Sequence, residues 1–177
     1  MAWKILSKEY LEKNKWINLK KEKCQTPEGD IIDDYYVLEL QDVSCAVAIT
    51  KDKELILIKE YKNGVKHDIT QLPCGYVDKG ESAEQAAKRE LLEETGYKSE
   101  KWISLGKRAA NPGRLNHYFH FFLAKDVEKV QEPILEPGES VKVIKCSLEE
   151  AKKLLKEEQC DLTASTGLFL AEEFLRD

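Results

Sequence analysis

The sequence predicts a layered α+β domain with many strands, one central helix and a helical tail. Short apolar runs between polar turns indicate many strands, a well-capped helix begins after Ser82, and amphipathic helices fill the end of the chain. Many strands with few helices are typical of a layered α+β domain. The 177 residues suit one domain. Within it we expect residues 1–42 to form an N-terminal hairpin region and residues 43–177 to form the core.

The N-terminal region is expected to fold as an antiparallel β-hairpin. Residues 16–23 and 31–40 read as strands that flank the turn sequence at residues 26–30. The apolar runs at residues 45–49 and 55–58 then predict core strands separated by a polar turn. Further strands are predicted at residues 102–109, 118–124 and 141–146.

The helices have local start and stop signals. Ser82 followed three residues later by Gln85 forms a capping box, and Gly96 supplies the usual end of a helix. Ser147 begins a second helix in the same way, with apolar residues on one face. A last amphipathic helix is predicted at residues 163–175.

Composition excludes several classes of function. The net charge of −5 does not favour non-specific attraction to nucleic acid or to an anionic membrane. No apolar run resembles a signal peptide or a membrane span, so a cytoplasmic protein is expected. The five cysteines are scattered without a Cys-x-x-Cys pair, which predicts reduced thiols packed as small hydrophobic groups.

The most informative segment is GYVDKGESAEQAAKRELLEETGY, residues 75–97. Glu90, Glu93 and Glu94 stand at i, i+3 and i+4, so one helix face presents three carboxylates. Like charges at this spacing repel one another, which points to a compensating cation. Carboxylate oxygens are the preferred ligands of Mg²⁺, which also contacts substrate phosphates.

A solvated helix face is the alternative interpretation of the three glutamates. Two observations argue against it. No lysine follows four residues after Glu90 or Glu93, and Gly75, Glu81 and Arg89 surround the cluster at defined spacings.

This segment resembles the Nudix box, G-x5-E-x7-R-E-U-x-E-E-x-G-U, where U is a bulky apolar residue. The matching residues are Gly75, Glu81, Arg89, Glu90, Leu91, Glu93, Glu94 and Gly96. The last U position is Tyr97, a departure that concerns helix packing more than chemistry. The resemblance implies a Nudix fold, in which mixed β-sheet layers are sandwiched between helices, and a metal-dependent hydrolase.

The chain is most similar to the ADP-ribose pyrophosphatases and related nucleoside-diphosphate-sugar hydrolases of that family. The sequences at residues 57–62 and 71–75 resemble the strands that lead into the box in this subgroup. Pro112 stands where the subgroup carries a proline beyond the box, and the likeness extends over roughly residues 16–175.

The resemblance implies a role for each box residue. Glu90 and Glu94 would bind Mg²⁺ or Mn²⁺ directly, Glu93 directly or nearby, and Glu81 through water. The Cys74 backbone carbonyl matches a position that often supplies another ligand, and Arg89 would orient the carboxylates.

The general base is expected from a loop before the late strand. Glu139 is the first choice and Glu136 the alternate, although both residues also suit an exposed turn beside Pro137 and Gly138. Glu93 is a further candidate.

Substrate contacts are expected from Arg114, Tyr61 and Trp16. The subgroup commonly carries a glutamate shortly after its Pro-Gly pair, whereas this sequence has Arg114-Leu-Asn-His there. Arg114 suits a phosphate or a ribose-linked group. Tyr61 and Trp16 are candidates to stack on a base, against the alternative that they fill the core or an interface.

The resemblance implies hydrolysis of a nucleoside diphosphate linked to a sugar, with ADP-ribose favoured, to give AMP and a sugar phosphate. The alternatives are a Nudix hydrolase of dinucleoside polyphosphates or dinucleotide cofactors, and a non-catalytic domain that senses a nucleotide. The partner is expected to be a small nucleotide, not nucleic acid or membrane. A homodimer is expected because subgroup members often pair through their N-terminal strands.

Overall fold

The computed structural model describes residues 2–135, 138, 140–157 and 159–175, with residue 157 described by its backbone alone. The chain forms two compact units. The first contains residues 1–42 and 108–118, and the second contains residues 43–107 and 119–177.

The first unit is built on a three-stranded antiparallel sheet in the order β1-β2-β3. The strands are β1 (Lys4–Lys13), β2 (Asn18–Gln25) and β3 (Ile31–Glu39). The predicted hairpin is confirmed as β2 and β3, and its turn is closed by the Gly29 N–H donating to the Thr26 carbonyl at 3.0 Å.

Strand β1 was not expected from the sequence. All ten of its residues are exposed, so it has no buried face to impose an alternating apolar pattern. Its place is set by backbone pairing with β2. Residues 108–118 run beside β3, where the Leu38 N–H donates to the Arg114 carbonyl at 2.8 Å.

The second unit contains a seven-stranded mixed sheet. Its main order is β12-β5-β4-β10-β9, with β6 paired to β5 and β7 paired to β4. Strands β4 and β10 run parallel. The β8 strand (Tyr97–Lys98) and the β11 strand (Glu128–Lys129) pair as a separate two-stranded sheet. The seven strands of the main sheet are β4 (Val43–Ile49), β5 (Glu54–Lys62), β6 (His67–Gln71), β7 (Cys74–Tyr76), β9 (Lys101–Ala109), β10 (Tyr118–Lys125) and β12 (Val141–Ser147).

The centre of this sheet splits into two arms. Strands β4 and β5 pair only at Ala48–Ile56 and Ile49–Leu55. Beyond that point β5 pairs with β6, and the start of β4 pairs with β7. The short segment from β6 to β7 is therefore held in the middle of the sheet.

Helices cover both faces of the sheet, which confirms the predicted sandwich. Helix α1 (Ala83–Thr95) packs Leu91 against Ala46, Ala48 and Ile56. Helices α2 (Leu148–Glu157) and α3 (Leu162–Leu175) contribute Ala151, Leu168 and Ala171 to a core that also contains Val47 and Leu57. Val47 and Leu57 face α2 and α3, whereas Ala46, Ala48 and Ile56 face α1.

The helix ends follow the predicted signals. Ser82 and Gln85 form a complete capping box at α1, and Gly96 ends the helix with a left-handed φ of 74°. Ser147 caps α2. Helix α3 begins one residue earlier than predicted, because Asp161 caps it by accepting a hydrogen bond from the Ala164 N–H at 3.0 Å.

Among the described residues, no helix is long and apolar enough to cross a membrane.

Candidate active site

Arg89 organises the carboxylates around the first half of α1. Its Nε and Nη2 donate to the two oxygens of Glu81 at 3.1 and 3.0 Å, a two-point interaction that fits the planar guanidinium. Its Nη1 donates to Glu90 at 2.7 Å and to Glu93 at 3.2 Å. Its Nη2 also donates to the Tyr76 carbonyl at 3.0 Å, which ties the helix to β7.

The charges of this cluster stabilise one another. The hydrogen bond from Arg89 is the main reason that the pKa of Glu81 lies below its ordinary value. The same bond, followed by the bonds that Arg89 donates to Glu90 and Glu93, raises the pKa of Arg89. Glu81 also accepts the Asp78 N–H at 3.2 Å, so the loop before α1 and the helix share one carboxylate.

Glu94 lies on the inner side of the same helix. It is 5% exposed, and its Oε2 accepts the Cys74 N–H at 2.9 Å. Burial, and then the nearby charge of Glu90, raise the pKa of Glu94 to about 9. A carboxylate that is this buried and this close to another acid requires a cation to be held in its charged form.

Gly75 is in close contact with Glu90. A Cβ atom at residue 75 would lie 2.0 Å from Glu90 Oε1, a distance that no side chain can occupy. Glycine at residue 75 lets the Glu90 carboxylate lie against the backbone of β7, and a side chain there would displace that carboxylate.

Comparison with known proteins identifies the family. The family described as "NUDIX domain" matches residues 40–164. The chain belongs to the Nudix family. Residues 3–38 match a second family, described as "Nucleoside diphosphate sugar hydrolase N-terminal domain".

Individual relatives agree with this assignment. The chain is 30% identical to an ADP-ribose pyrophosphatase of Bacillus subtilis (strain 168) over 154 residues, covering 86% of this chain and 83% of that protein. It is 32% identical over 114 residues to a methanol dehydrogenase activator of Bacillus methanolicus, covering 64% and 62%. A crystal structure of an ADP compounds hydrolase shares the fold, with a TM-score of 0.81 at 23% identity and coverage of 99% and 95%.

The chain is therefore a Nudix hydrolase, and enzymes of this family generally need a divalent metal ion. In the described residues no three His, Cys, Asp or Glu side chains form a ready-made metal site. Arg89 instead occupies the space among the Nudix box carboxylates. The donor set nevertheless fits a hard divalent ion, because it consists of carboxylate and carbonyl oxygens around a buried acid in need of a positive charge.

Further charged groups lie near the box, of which Glu60 and Asp161 were not singled out by sequence reasoning. Lys62 lies near Glu94 and Cys74, and its Nζ is 2.5 Å from Glu60. Asp161 is also close to Cys74 and Lys62, and burial raises its pKa. Their proximity depends on how the strands separate, and no local sequence signal reports it.

The remaining predicted residues belong to other segments of the chain. Tyr61 is on β5 of the second unit and is 51% exposed. Trp16 is 71% exposed at the β1–β2 turn of the first unit, where Asn14 accepts its N–H at 2.9 Å. Glu139 and Glu136, the expected bases, lie outside the described residues.

Arg114 stands in an aromatic cluster of the first unit. Its guanidinium lies 5.0 Å from the ring centre of Tyr35, a cation–π distance. The Tyr35 hydroxyl donates to the Gly113 carbonyl at 2.6 Å, and the Trp3 ring meets Tyr35 edge-on at 5.5 Å. Trp3 and Tyr35 were not predicted from the sequence as neighbours of Arg114.

Proposed function

We propose that this chain hydrolyses the diphosphate bond of ADP-ribose to give AMP and a sugar phosphate. The observation that carries the proposal is the complete carboxylate cluster that Arg89 organises on α1 opposite β7. The substrate class is supported by the similarity to the Bacillus subtilis ADP-ribose pyrophosphatase and by the match of residues 3–38 to a nucleoside-diphosphate-sugar hydrolase domain.

The metal is proposed to be Mg²⁺ or Mn²⁺. Both prefer oxygen ligands, and the donors proposed here are oxygens: Glu81, Glu90, Glu93, Glu94 and the backbone carbonyl of Cys74. A divalent ion at this position would neutralise the diphosphate and lower the pKa of the attacking water.

The chain itself would supply the placement of these groups. Arg89 holds Glu81 at two points, so the Glu81 carboxylate has one orientation. The Cys74 N–H holds Glu94, and the missing side chain of Gly75 leaves room for Glu90. Much of the rate enhancement in phosphoryl chemistry comes from such placement and from electrostatics.

Water must lose a proton as it attacks phosphorus, and the bridging oxygen of the diphosphate leaves with one of the two products. Among the described box residues, Glu93 is the best placed to accept that proton. Its side chain is 45% exposed, whereas that of Glu90 is 15% exposed. Glu139 is kept as the alternative base on the strength of the resemblance alone.

Arg114, Trp16 and Tyr61 are proposed as substrate contacts. The Arg114 guanidinium suits a phosphate or a ribose-linked group, and Tyr35 holds it by stacking. The exposed rings of Trp16 and Tyr61 are suited to stacking on a base.

A homodimer is also proposed. Strand β1 lies at the edge of its sheet. The strand and the residue just before it expose five large apolar side chains: Trp3, Ile5, Leu6, Tyr10 and Leu11. A second copy of the chain would cover these groups. Light scattering coupled to gel filtration at micromolar concentration tests this, and a monomer mass would remove the proposal.

The deciding experiment is a hydrolysis panel. Purified protein is given ADP-ribose, other nucleotide sugars, dinucleoside polyphosphates and NADH, each with Mg²⁺, with Mn²⁺ and with a chelator. Metal-dependent release of AMP from ADP-ribose, lost in Glu94→Gln, supports the proposal.

Two other outcomes would change the assigned substrate or the assigned role. Preference for a dinucleoside polyphosphate or a dinucleotide keeps the Nudix chemistry and overturns the substrate. Tight binding of a nucleotide without turnover by folded, metal-loaded protein would favour a domain that senses the nucleotide.

A further inference from the structure

We propose that Cys45 and Cys74 form a disulfide under oxidising conditions and that this bond lowers the activity of the carboxylate site. The regulatory half rests on the proposed function, whereas formation of the bond does not.

The two cysteines are direct partners across adjacent strands. Cys45 on β4 lies opposite Cys74 on β7, and the next pair is joined by the Ala46 N–H donating to the Pro73 carbonyl at 2.9 Å. The cysteines therefore occupy a non-hydrogen-bonded position, where Cα atoms are about 4.5 Å apart and side chains are close. That separation is within the range of about 4.4–6.8 Å that a disulfide spans.

The two side chains lie on the same face of the sheet. Both side chains pack in the hydrophobic cluster on the face of the sheet that α3 covers, Cys45 fully buried and Cys74 partly buried. Cys24 is in the first unit, Cys146 is on β12, and the Cys160 Sγ contacts the Leu155 carbonyl at 3.5 Å. Cys45 and Cys74 are thus the pair that oxidation is expected to join.

The position of Cys74 connects this pair to the catalytic carboxylates. Its N–H donates to Glu94, and the next residue, Gly75, lies against Glu90. A disulfide holds the two sulfurs about 2.05 Å apart with a restricted dihedral angle about the S–S bond. An adjustment of the β7 backbone to that geometry displaces the two carboxylates that contact it.

Hydrogen peroxide is the oxidant in the proposed reaction. The Cys74 thiol is oxidised to a sulfenic acid while the peroxide is reduced to water. The Cys45 sulfur then attacks the Cys74 sulfur, and hydroxide leaves with the Cys45 proton as a second water. Cys45 is buried and Cys74 is partly buried, so oxidation is expected to be slower than at an exposed thiol.

Peptide mapping tests the bond. Native protein is treated with hydrogen peroxide, quenched, alkylated and digested without reductant. The expected product has lost two hydrogen atoms and yields one peptide pair linked through Cys45 and Cys74. Addition of oxygen without a linked pair, or linkage of any other two cysteines, overturns the proposal. Because this measurement uses the natural chain, it does not depend on the folding of a variant.

Activity tests the regulation. Oxidation is expected to lower ADP-ribose turnover by at least roughly tenfold, because small displacements of catalytic groups cost large factors in rate, and dithiothreitol should restore it. Cys45→Ala should resist the loss, and Cys146→Ala, a matched buried cysteine, should lose activity like the natural chain. Unchanged turnover in protein shown to carry the bond overturns the regulatory half.

The two proposals fail in different ways. If the reduced protein does not hydrolyse ADP-ribose, the proposed function fails and peptide mapping still decides the bond. In that case Mn²⁺ affinity, measured by electron paramagnetic resonance before and after oxidation, decides the coupling. An affinity that falls supports it, and an equal affinity overturns it.

Discussion

Gly75 and Glu90 are in contact so close that a Cβ atom at residue 75 would lie 2.0 Å from Glu90 Oε1. Gly75→Ala is therefore expected to displace the Glu90 carboxylate and to lower kcat by about 100-fold, as misplaced catalytic groups do. Steady-state kinetics with ADP-ribose measure the effect. Gly64→Ala is the control, since a Cβ there meets no atom within 4 Å. Equal activity of the two variants would contradict the assigned contact.

Activity is expected to depend on the planar geometry of the Arg89 guanidinium as well as on its charge. Arg89→Lys keeps the positive charge but loses the two-point bond to Glu81 and the simultaneous contacts with Glu90 and Glu93. We expect kcat/KM to fall roughly 10- to 100-fold, the range for groups that orient metal ligands. Lys88→Arg, the neighbouring residue paired with Glu84, should retain activity. A fully active Arg89→Lys enzyme would show that charge alone suffices.

The buried acid Glu94 should make the metal-free protein less stable as pH rises. Its folded pKa of about 9 lies above the ordinary value of 4.5, so the folded state binds more protons than the unfolded state between those values. The free energy of unfolding should therefore fall with rising pH across this window, by at most about 1.4 kcal/mol per pH unit.

Urea unfolding in the presence of a chelator at several pH values measures this slope. Glu94→Gln cannot ionise, so its slope should be shallower over the same window. Parallel curves for the natural chain and the variant would mean that Glu94 ionises normally.

Arg114 should affect binding of substrate more than its conversion. Arg114→Ala removes a guanidinium that Tyr35 holds in place. We expect KM for ADP-ribose to rise roughly tenfold with kcat nearly unchanged, the pattern for a contact made equally in the ground and transition states. Arg108→Ala, another arginine of the same unit, is the comparison. A loss confined to kcat would assign Arg114 to the chemistry instead.

Helix α1 was predictable because its signals are local. The capping box at Ser82, the terminal Gly96 and the spacing of the glutamates lie within one segment of sequence. The box residues could be assigned for the same reason. The turn between β2 and β3 is encoded just as locally.

The parts that were not predicted depend on contacts between distant residues. Strand β1 carries no buried residue, so its sequence has no strand periodicity. Asp161 approaches Cys74 only because α3 begins beside β6. The contact between Arg114 and Tyr35 joins segments far apart in sequence.

Thr70 joins the strand that leads into the box to the start of the C-terminal helix. Its N–H donates to the Gln159 carbonyl at 3.0 Å, and its carbonyl accepts the Asp161 N–H at 3.3 Å. Helix α3 cannot leave the sheet without breaking both bonds, and its Gly167 approaches so closely that a Cβ would lie 2.5 Å from Leu72. The approach to the carboxylate site and the last helix thus form one cooperative unit, in which exchange of the Thr70 amide hydrogen would report the opening of both.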